Sequence, residues 1–205
     1  KSHQIFREIE RNLQDGGEQR LILLVPEQFT LQSERDLIQK LNLPGIMRVE
    51  VLSFSRLAYR VFNEVGGLTR TLLNEQGKNM VLRRIIDEVS SDLTIYRKAA
   101  QKDGFIEKFS ELLADLKQQD ILPGQLRESI EDAGEAAIIK QKIHDIELLY
   151  EHFNDYLKGR YLDSEDRLNL LIEKIASASI LRDARVWVDG FTTFSPQSLK
   201  IIDKI

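Results

Sequence analysis

The sequence lacks cysteine altogether and contains only four prolines, three histidines and one tryptophan. Without cysteine, this chain has no disulfide bonds, cysteine nucleophiles, thiolate zinc sites or iron–sulfur ligands. No stretch approaches the roughly 18 consecutive apolar residues of a membrane-spanning helix. The first residues also lack the apolar core of a signal peptide. We therefore expect a cytoplasmic protein with no membrane partner.

Charge and histidine placement argue against two further kinds of site. The net charge of −4 does not suit a surface that binds nucleic acid everywhere, so any DNA contact must be local. His144 and His152 are about two turns apart on one predicted helix, too far to share a metal without other ligands. Asp163, Glu165 and Asp166 suit the start of a helix better than a metal site. We expect no metal site in the chain.

Short apolar runs alternate with amphipathic helices in the first third of the chain. Leu21–Val25 is a run of five apolar residues, which is typical of a strand buried on both faces of a parallel sheet. Residues 47–52 predict a second strand. Helices are predicted at residues 2–13 and 30–41. A third helix is predicted to follow the N-cap Ser53 and to run to Gly66 and Gly67. This order predicts right-handed crossovers and a parallel sheet.

The pattern changes after Gly67 and changes back near residue 181. Between residues 72 and 180 no convincing strand is found, and helices are predicted at 75–89, 92–101, 105–118, 123–132, 136–158 and 164–176. A third strand is predicted at Arg185–Val188. The fold class is therefore predicted to be α/β. A parallel-sheet domain spans residues 1–67 plus 181–205, and residues 68–180 form an inserted all-helical domain.

The third predicted strand ends in Asp189 and Gly190, and Ser195 and Pro196 begin the next helix. An acid at the carboxyl end of a parallel strand lies where open α/β sheets bind ligands. In P-loop nucleoside-triphosphatases an aspartate there helps to hold magnesium. An ordinary strand-to-helix turn explains the same residues. On these residues alone the two interpretations remain open.

Three turns are predicted at one edge of this sheet, at residues 25–30 (VPEQFT), 51–58 (VLSFSRLA) and 188–191 (VDGF). Their order and spacing resemble motifs Ia, Ib and II of superfamily 1 helicases of the UvrD kind, whose domain 1B occupies the place of the insertion. The residues themselves are most similar to the AddB family, which belongs to the bacterial AddAB helicase–nucleases. Residues 161–166 (YLDSED) and 194–197 (FSPQ) also resemble that family.

The resemblance implies a remnant of a nucleotide site. Lys1 and Ser2 would be the last residues of a Walker A loop, whose amides cradle phosphates, and Asp189 would hold magnesium in the full-length protein. Active helicases carry a glutamate next, where this chain has Gly190, which cannot orient water. We therefore expect ATP and magnesium to bind only the longer protein, without efficient turnover, and no catalytic residue here. By itself, a Lys-Ser pair is better explained as a tag remnant or an exposed terminus, and only the resemblance favours the Walker A interpretation.

The resemblance also implies contacts to single-stranded DNA. Carried over by motif position, the candidate residues for DNA and Chi binding are Gln28, Thr30, Phe54, Arg56, Tyr59 and Phe191. Aromatic rings stack on bases, and guanidinium groups pair with phosphates or guanine. Tyr59 stands where other members carry tryptophan, so its stacking is expected to be weaker. For a generic domain, a core position for Phe54 and solvated arginines explain the same pattern.

The implied function is that of an N-terminal helicase-like region of a helicase–nuclease subunit. It would bind single-stranded DNA and recognise the Chi sequence during double-strand-break processing for homologous recombination. The motor would be the partner protein AddA, and the nuclease and an iron–sulfur cluster would lie beyond Ile205. Two alternatives stay open, an active ATP-dependent helicase motor and a structural module that only docks the partner. Because the chain begins inside a predicted helix without methionine, we expect it to be a fragment.

Overall fold

The computed structural model describes residues 2–15, 17, 19–41, 48–102, 104–131 and 137–205. In chain order the helices and strands are α1 (Ser2–Gln14), β1 (Leu21–Leu24), α2 (Thr30–Leu41), β2 (Val49–Leu52), α3 (Phe54–Val65), β3 (Thr71–Leu72), α4 (Glu75–Val89), α5 (Phe105–Gln118), α6 (Pro123–Glu131), α7 (Ala137–Leu157), β4 (Tyr161–Leu162), α8 (Ser164–Lys174), β5 (Arg185–Val188) and α9 (Pro196–Asp203). Short 3₁₀ turns lie at Glu27–Phe29, Ala99–Gln101 and Ile175–Ser177. No helix in these described ranges is long and apolar enough to cross a membrane.

The chain divides into two compact units. One comprises Lys1–Leu68 with Leu168–Ile205, and the other comprises Thr69–Arg167. The second boundary falls earlier than the predicted residue 180. Residues 168–180 belong to the first unit because Leu171 and Ile175 are fully buried in one of its hydrophobic clusters.

The first unit is built on three parallel strands in the order β2-β1-β5. All four residues of the central strand β1 are buried, as its uninterrupted apolar sequence predicts. Leu21 and Leu23 face the cluster that contains Phe6 and Ile9 of α1. Ile22 and Leu24 face the opposite cluster, which is formed with α3 and α8. The predicted parallel sheet and the membership of residues 185–188 in it are confirmed.

Helix α2 is confirmed, but the apolar spacing of Leu31, Leu37, Ile38 and Leu41, which predicts that all four face inward, is only partly reflected in burial. Leu37 is fully buried, whereas Leu31 and Ile38 are exposed. The side chain of Leu41 lies outside the described residues. Met47, which was predicted to begin the second strand, also lies outside them, and the described strand begins at Val49.

The second unit is mostly helical, with helices α4, α5 and α7 enclosing its core. It is not all-helical, however, because β3 and β4 form a two-residue parallel ladder. The prediction of no strand between residues 72 and 180 is therefore wrong at Tyr161–Leu162. A two-residue strand has no periodicity that a sequence pattern can show.

The helix predicted at residues 92–101 is also wrong, since only the 3₁₀ turn Ala99–Gln101 forms there. The fully buried carboxylate of Asp145 on α7 accepts the backbone N–H groups of Thr94, Ile95 and Tyr96 at 2.8 to 3.1 Å. Those donors are therefore not available to a helix. The long-range acceptor explains why a locally plausible helix does not form.

A buried charge cluster fixes the start of α8 in the second unit. The Lys117 ammonium lies 2.6 Å from Asp163, 3.0 Å from Asp166 and 5.3 Å from the centre of the Phe153 ring. Asp163 Oδ1 also accepts the Asp166 N–H and so caps the helix. Burial alone would lower the pKa of Lys117, but the two carboxylates outweigh it and raise that pKa. Burial and the neighbouring Asp163 charge raise the pKa of Asp166.

The two aspartates should therefore respond differently to substitution. Asp163→Ala removes the cap and leaves Lys117 incompletely paired, so we expect a loss of about 3–5 kcal/mol in the free energy of unfolding. Asp166→Asn should cost less. Because the folded pKa of Asp166 is raised, its ionisation opposes folding, and this penalty disappears as the pH falls through that pKa. In urea denaturation, the free energy of unfolding of Asp166→Asn should rise relative to that of the wild type as the pH is raised from about 4 to 7, because only the wild type then ionises residue 166. An unchanged difference would contradict this assignment of charge.

Candidate nucleic-acid interface at the sheet edge

The register of the sheet brings the three predicted turns to one edge. Leu24 lies opposite both Leu52 and Val188, so the three strands end at the same level. The Val25 N–H donates to the Leu52 carbonyl and the Asp189 N–H donates to the Leu24 carbonyl, both at 2.9 Å. The three turns therefore begin side by side.

Polar groups of the first two turns fix the geometry of the loops. The Ser53 hydroxyl donates to the Glu27 carboxylate, and Ser53 Oγ accepts the Arg56 N–H at 3.2 Å as the cap of α3. The Thr30 hydroxyl donates to the Glu27 carbonyl at 3.0 Å, and Thr30 is buried. Gln28, in contrast, is exposed beside this network. Thr30 is thus buried beneath the sheet edge, while Gln28 lies on the surface of that edge.

An aromatic row extends from the core to the surface at the third turn. The ring of Phe54, only 9% exposed, lies 5.4 Å from that of Phe191, which stacks on Phe194 at 5.1 Å. Phe194 and Phe29 are exposed. Sequence reasoning did not single out Phe29 and Phe194 as site residues. Their position in turns, outside any apolar periodicity, was the available signal.

The outward face of α3 carries the remaining DNA candidates. Tyr59 is 61% exposed and lines a cleft of about 320 Å³ together with Leu52, Ser55, Arg56 and Arg60. The two arginines pair with carboxylates of the same unit rather than being only solvated. Of the six predicted DNA residues, Gln28, Arg56 and Tyr59 are exposed, Thr30 and Phe54 are buried, and Phe191 is half-buried.

Helix α1 runs antiparallel to β5. Trp187 Nε1 donates to Glu8 at 2.9 Å, and Arg185 donates to Asn12 at 2.6 Å. Four helix residues rise about 6 Å, and two strand residues rise about 6.6 Å, so the two elements advance together in opposite directions. The amino terminus of α1 consequently points toward the sheet edge that carries Asp189.

Ser2 and Asp189 carry side chains of the types that bind a magnesium–nucleotide complex. Ser2 offers a hydroxyl at the start of a helix, where backbone amides and the helix dipole favour phosphate. Asp189 offers a half-buried carboxylate, and hard oxygen ligands of these two types suit Mg²⁺. Lys1 lies outside the described residues. Within the described ranges no group of three or more His, Cys, Asp or Glu side chains could hold a metal by itself.

The position after Asp189 is built for glycine. Gly190 has φ +79°, and a Cβ there would lie 3.3 Å from Pro26 Cδ and 3.7 Å from a ring carbon of Phe29. A glutamate at this position would meet both backbone strain and crowding from the first turn. The missing carboxylate is thus part of how the first and third turns pack.

Gly190→Ala and Gly104→Ala form a matched pair that separates backbone strain from crowding. Gly104 has a similar φ of +81° with ψ −10°, and nothing lies within 4 Å of a Cβ built there. Left-handed backbone costs a non-glycine residue about 1–2 kcal/mol, so both variants should lose at least that much unfolding free energy. Gly190→Ala should lose more because Pro26 must also move. Equal losses in urea denaturation would contradict the close packing.

The sequence of this chain is similar to those of a known protein family. The family model described as "ADDB, N-terminal" matches residues 1–205. Proteins named as the B subunit of an ATP-dependent helicase/deoxyribonuclease are 53% identical in Alkaliphilus metalliredigens, 52% in Alkaliphilus oremlandii and 40% in Clostridium tetani. Each alignment covers 100% of this chain and 18% of the relative, so the chain spans about a fifth of their length. The match over the whole chain shows that it belongs to the AddB N-terminal family.

Proposed function

We propose that the chain is the helicase-like region of a helicase–nuclease component, which binds single-stranded DNA at the carboxyl edge of its sheet. It recognises the Chi sequence there during double-strand-break processing for recombination. The observation that carries the proposal is the convergence of three turns on one edge, with Gln28, Arg56 and Tyr59 exposed. The names of the relatives support DNA as the substrate of the whole protein.

The chemistry of the exposed side chains supports contact to both bases and backbone. A glutamine amide such as that of Gln28 pairs with an adenine edge, and a guanidinium such as that of Arg56 pairs with guanine or phosphate. Tyr59 offers a ring on which a base gains about 1–3 kcal/mol by stacking. The buried Thr30 and Phe54 stabilise the turns beneath these exposed side chains. Phe191 packs against Phe54 in the aromatic row.

The nucleotide site, in this proposal, binds ATP without efficient turnover. Lys1, Ser2 and Asp189 would contact the phosphates and magnesium in the full-length protein. Magnesium would neutralise phosphate charge there. Gly190 offers no carboxylate to orient an attacking water, and a Cβ at this position would crowd Pro26. Bound nucleotide would then serve as a structural ligand of the sheet edge.

The remaining activities belong, in this proposal, to other parts of the complex. A partner protein of the AddA type supplies the motor, and residues outside this chain supply the nuclease and the iron–sulfur cluster. The mostly helical unit Thr69–Arg167 takes the place of domain 1B of superfamily 1 helicases, and the other unit takes the place of domain 1A.

Recognition of Chi is tested with Arg56→Ala and Gln28→Ala in the complete helicase–nuclease. Loss of a base contact should weaken binding of the cognate sequence by about 1–3 kcal/mol, whereas loss of a phosphate contact weakens all sequences. We expect Gln28→Ala to lose the response to Chi while unwinding and digestion of Chi-free DNA stay nearly normal. Arg56→Ala should weaken activity on both DNAs if its guanidinium binds phosphate, and on Chi alone if it binds a base. The control is Arg84→Ala on α4, which removes an arginine from another exposed ion pair. Equal loss on both DNAs in Gln28→Ala would contradict sequence recognition at this edge.

Nucleotide binding without turnover is tested on the full-length protein in the absence of its partner. Mg²⁺-dependent binding of ATP should be lost in Asp189→Ala, because the carboxylate that holds the ion is removed. Hydrolysis should remain at background in both proteins, with and without DNA. Turnover that DNA stimulates and that Asp189→Ala abolishes would instead show an active motor.

A further inference from the structure

Two arginines on the outward face of α3 are each held by a carboxylate from a different element. Arg56 lies 2.8 Å from Glu34 of α2, and Arg60 lies 2.9 Å from Glu50 of β2. The arginines are four residues apart, so they project from the same face of the helix. All four side chains are between 32% and 50% exposed, which leaves both ion pairs open to solvent and to a ligand.

The cleft of about 320 Å³ on this face has the composition of a nucleotide site. Leu52 contributes apolar surface, Tyr59 contributes an exposed aromatic ring, and Arg56 and Arg60 contribute guanidinium groups. An aromatic face suits a nucleobase, and guanidinium groups form strong, often bidentate bonds with phosphate oxygens. An amino acid or a sugar would use few of these features.

We propose that the cleft binds one nucleotide of single-stranded DNA, and that Glu34 and Glu50 compete with its phosphates for the two arginines. The inference rests on the proposed DNA-binding function and adds Arg60 and both carboxylates to the site. Each carboxylate occupies one side of a guanidinium and offsets its charge, so a phosphate that binds the arginine competes with it. Since phosphates are the same in every sequence, this competition weakens binding to all sequences alike. Contacts to the bases then decide which DNA remains bound at a given concentration.

The size of the effect follows from the exposure of the pairs. Exposed ion pairs contribute little because water and salt screen them. Removing one competing carboxylate should therefore raise the affinity for DNA by about two- to fivefold. The gain should shrink as salt is added, because screening already weakens the competing pair in the wild type.

The experiment uses fluorescence anisotropy to measure how tightly a fluorescein-labelled oligothymidylate binds the full-length protein, at low and at physiological salt. Glu34→Gln keeps the shape of the side chain and removes its charge, and it should bind about two- to fivefold more tightly at low salt. Glu88→Gln is the matched control, because it makes the same charge change in the exposed Arg84–Glu88 pair of α4. It should leave the affinity unchanged.

Two results would overturn the inference. Unchanged or weaker binding in Glu34→Gln would show that the carboxylate does not compete with DNA. An equal gain in Glu88→Gln would show that only total charge matters. Arg60→Ala and Arg56→Ala separate this failure from failure of the proposed function. Weaker binding in the arginine variants without a gain in Glu34→Gln would refute only the competition by carboxylates. Unaltered binding in both arginine variants would refute the proposed DNA interface itself.

Discussion

The flush register of three parallel strands is the constraint on which the rest of the site depends. Leu24 in the central strand lies opposite the last residues of both neighbours, Leu52 and Val188. Parallel strands carry their carboxyl ends to one edge, and the equal ends leave three turns starting side by side. A shift of one residue in either outer strand would turn its side chains to the opposite face and break the buried pattern of the sheet. Burial of the apolar strand therefore fixes where the turns begin.

At this edge, the residues that form the framework differ from those that are accessible. The Ser53 side chain bonds to the Glu27 carboxylate and to the Arg56 N–H, and Phe54 packs in the core. Substituting these residues would change the conformation of the loops, so any effect on ligand binding would be indirect. Arg56 and Tyr59 project from the helix that this framework positions. A rigid sheet edge with accessible polar and aromatic side chains is the arrangement by which α/β domains place recognition residues on loops.

The helices, strands and their parallel sheet were largely predictable from local sequence patterns, whereas side-chain contacts between distant elements were not. The apolar run of β1 and the caps Ser53 and Ser195 carry their signals within a few residues, and the structure confirms them. The helix expected at residues 92–101 fails because Asp145, some fifty residues away, takes its N–H groups. The pairing of Arg56 with a carboxylate of α2 is likewise invisible in the sequence, since it requires two elements to pack side by side. The family motifs indicated which residues to examine but not which of them are buried.

The most direct test of sequence recognition at this edge is a binding selection with the complete helicase–nuclease. A pool of random single-stranded DNA would be enriched over several rounds on the wild-type complex and on a complex carrying Tyr59→Ala with Gln28→Ala. We predict that the wild type enriches one short sequence, and that the variant retains DNA without enriching any, because phosphate contacts persist when base contacts are lost. Enrichment of the same sequence by both complexes would contradict the account and would place recognition outside this edge.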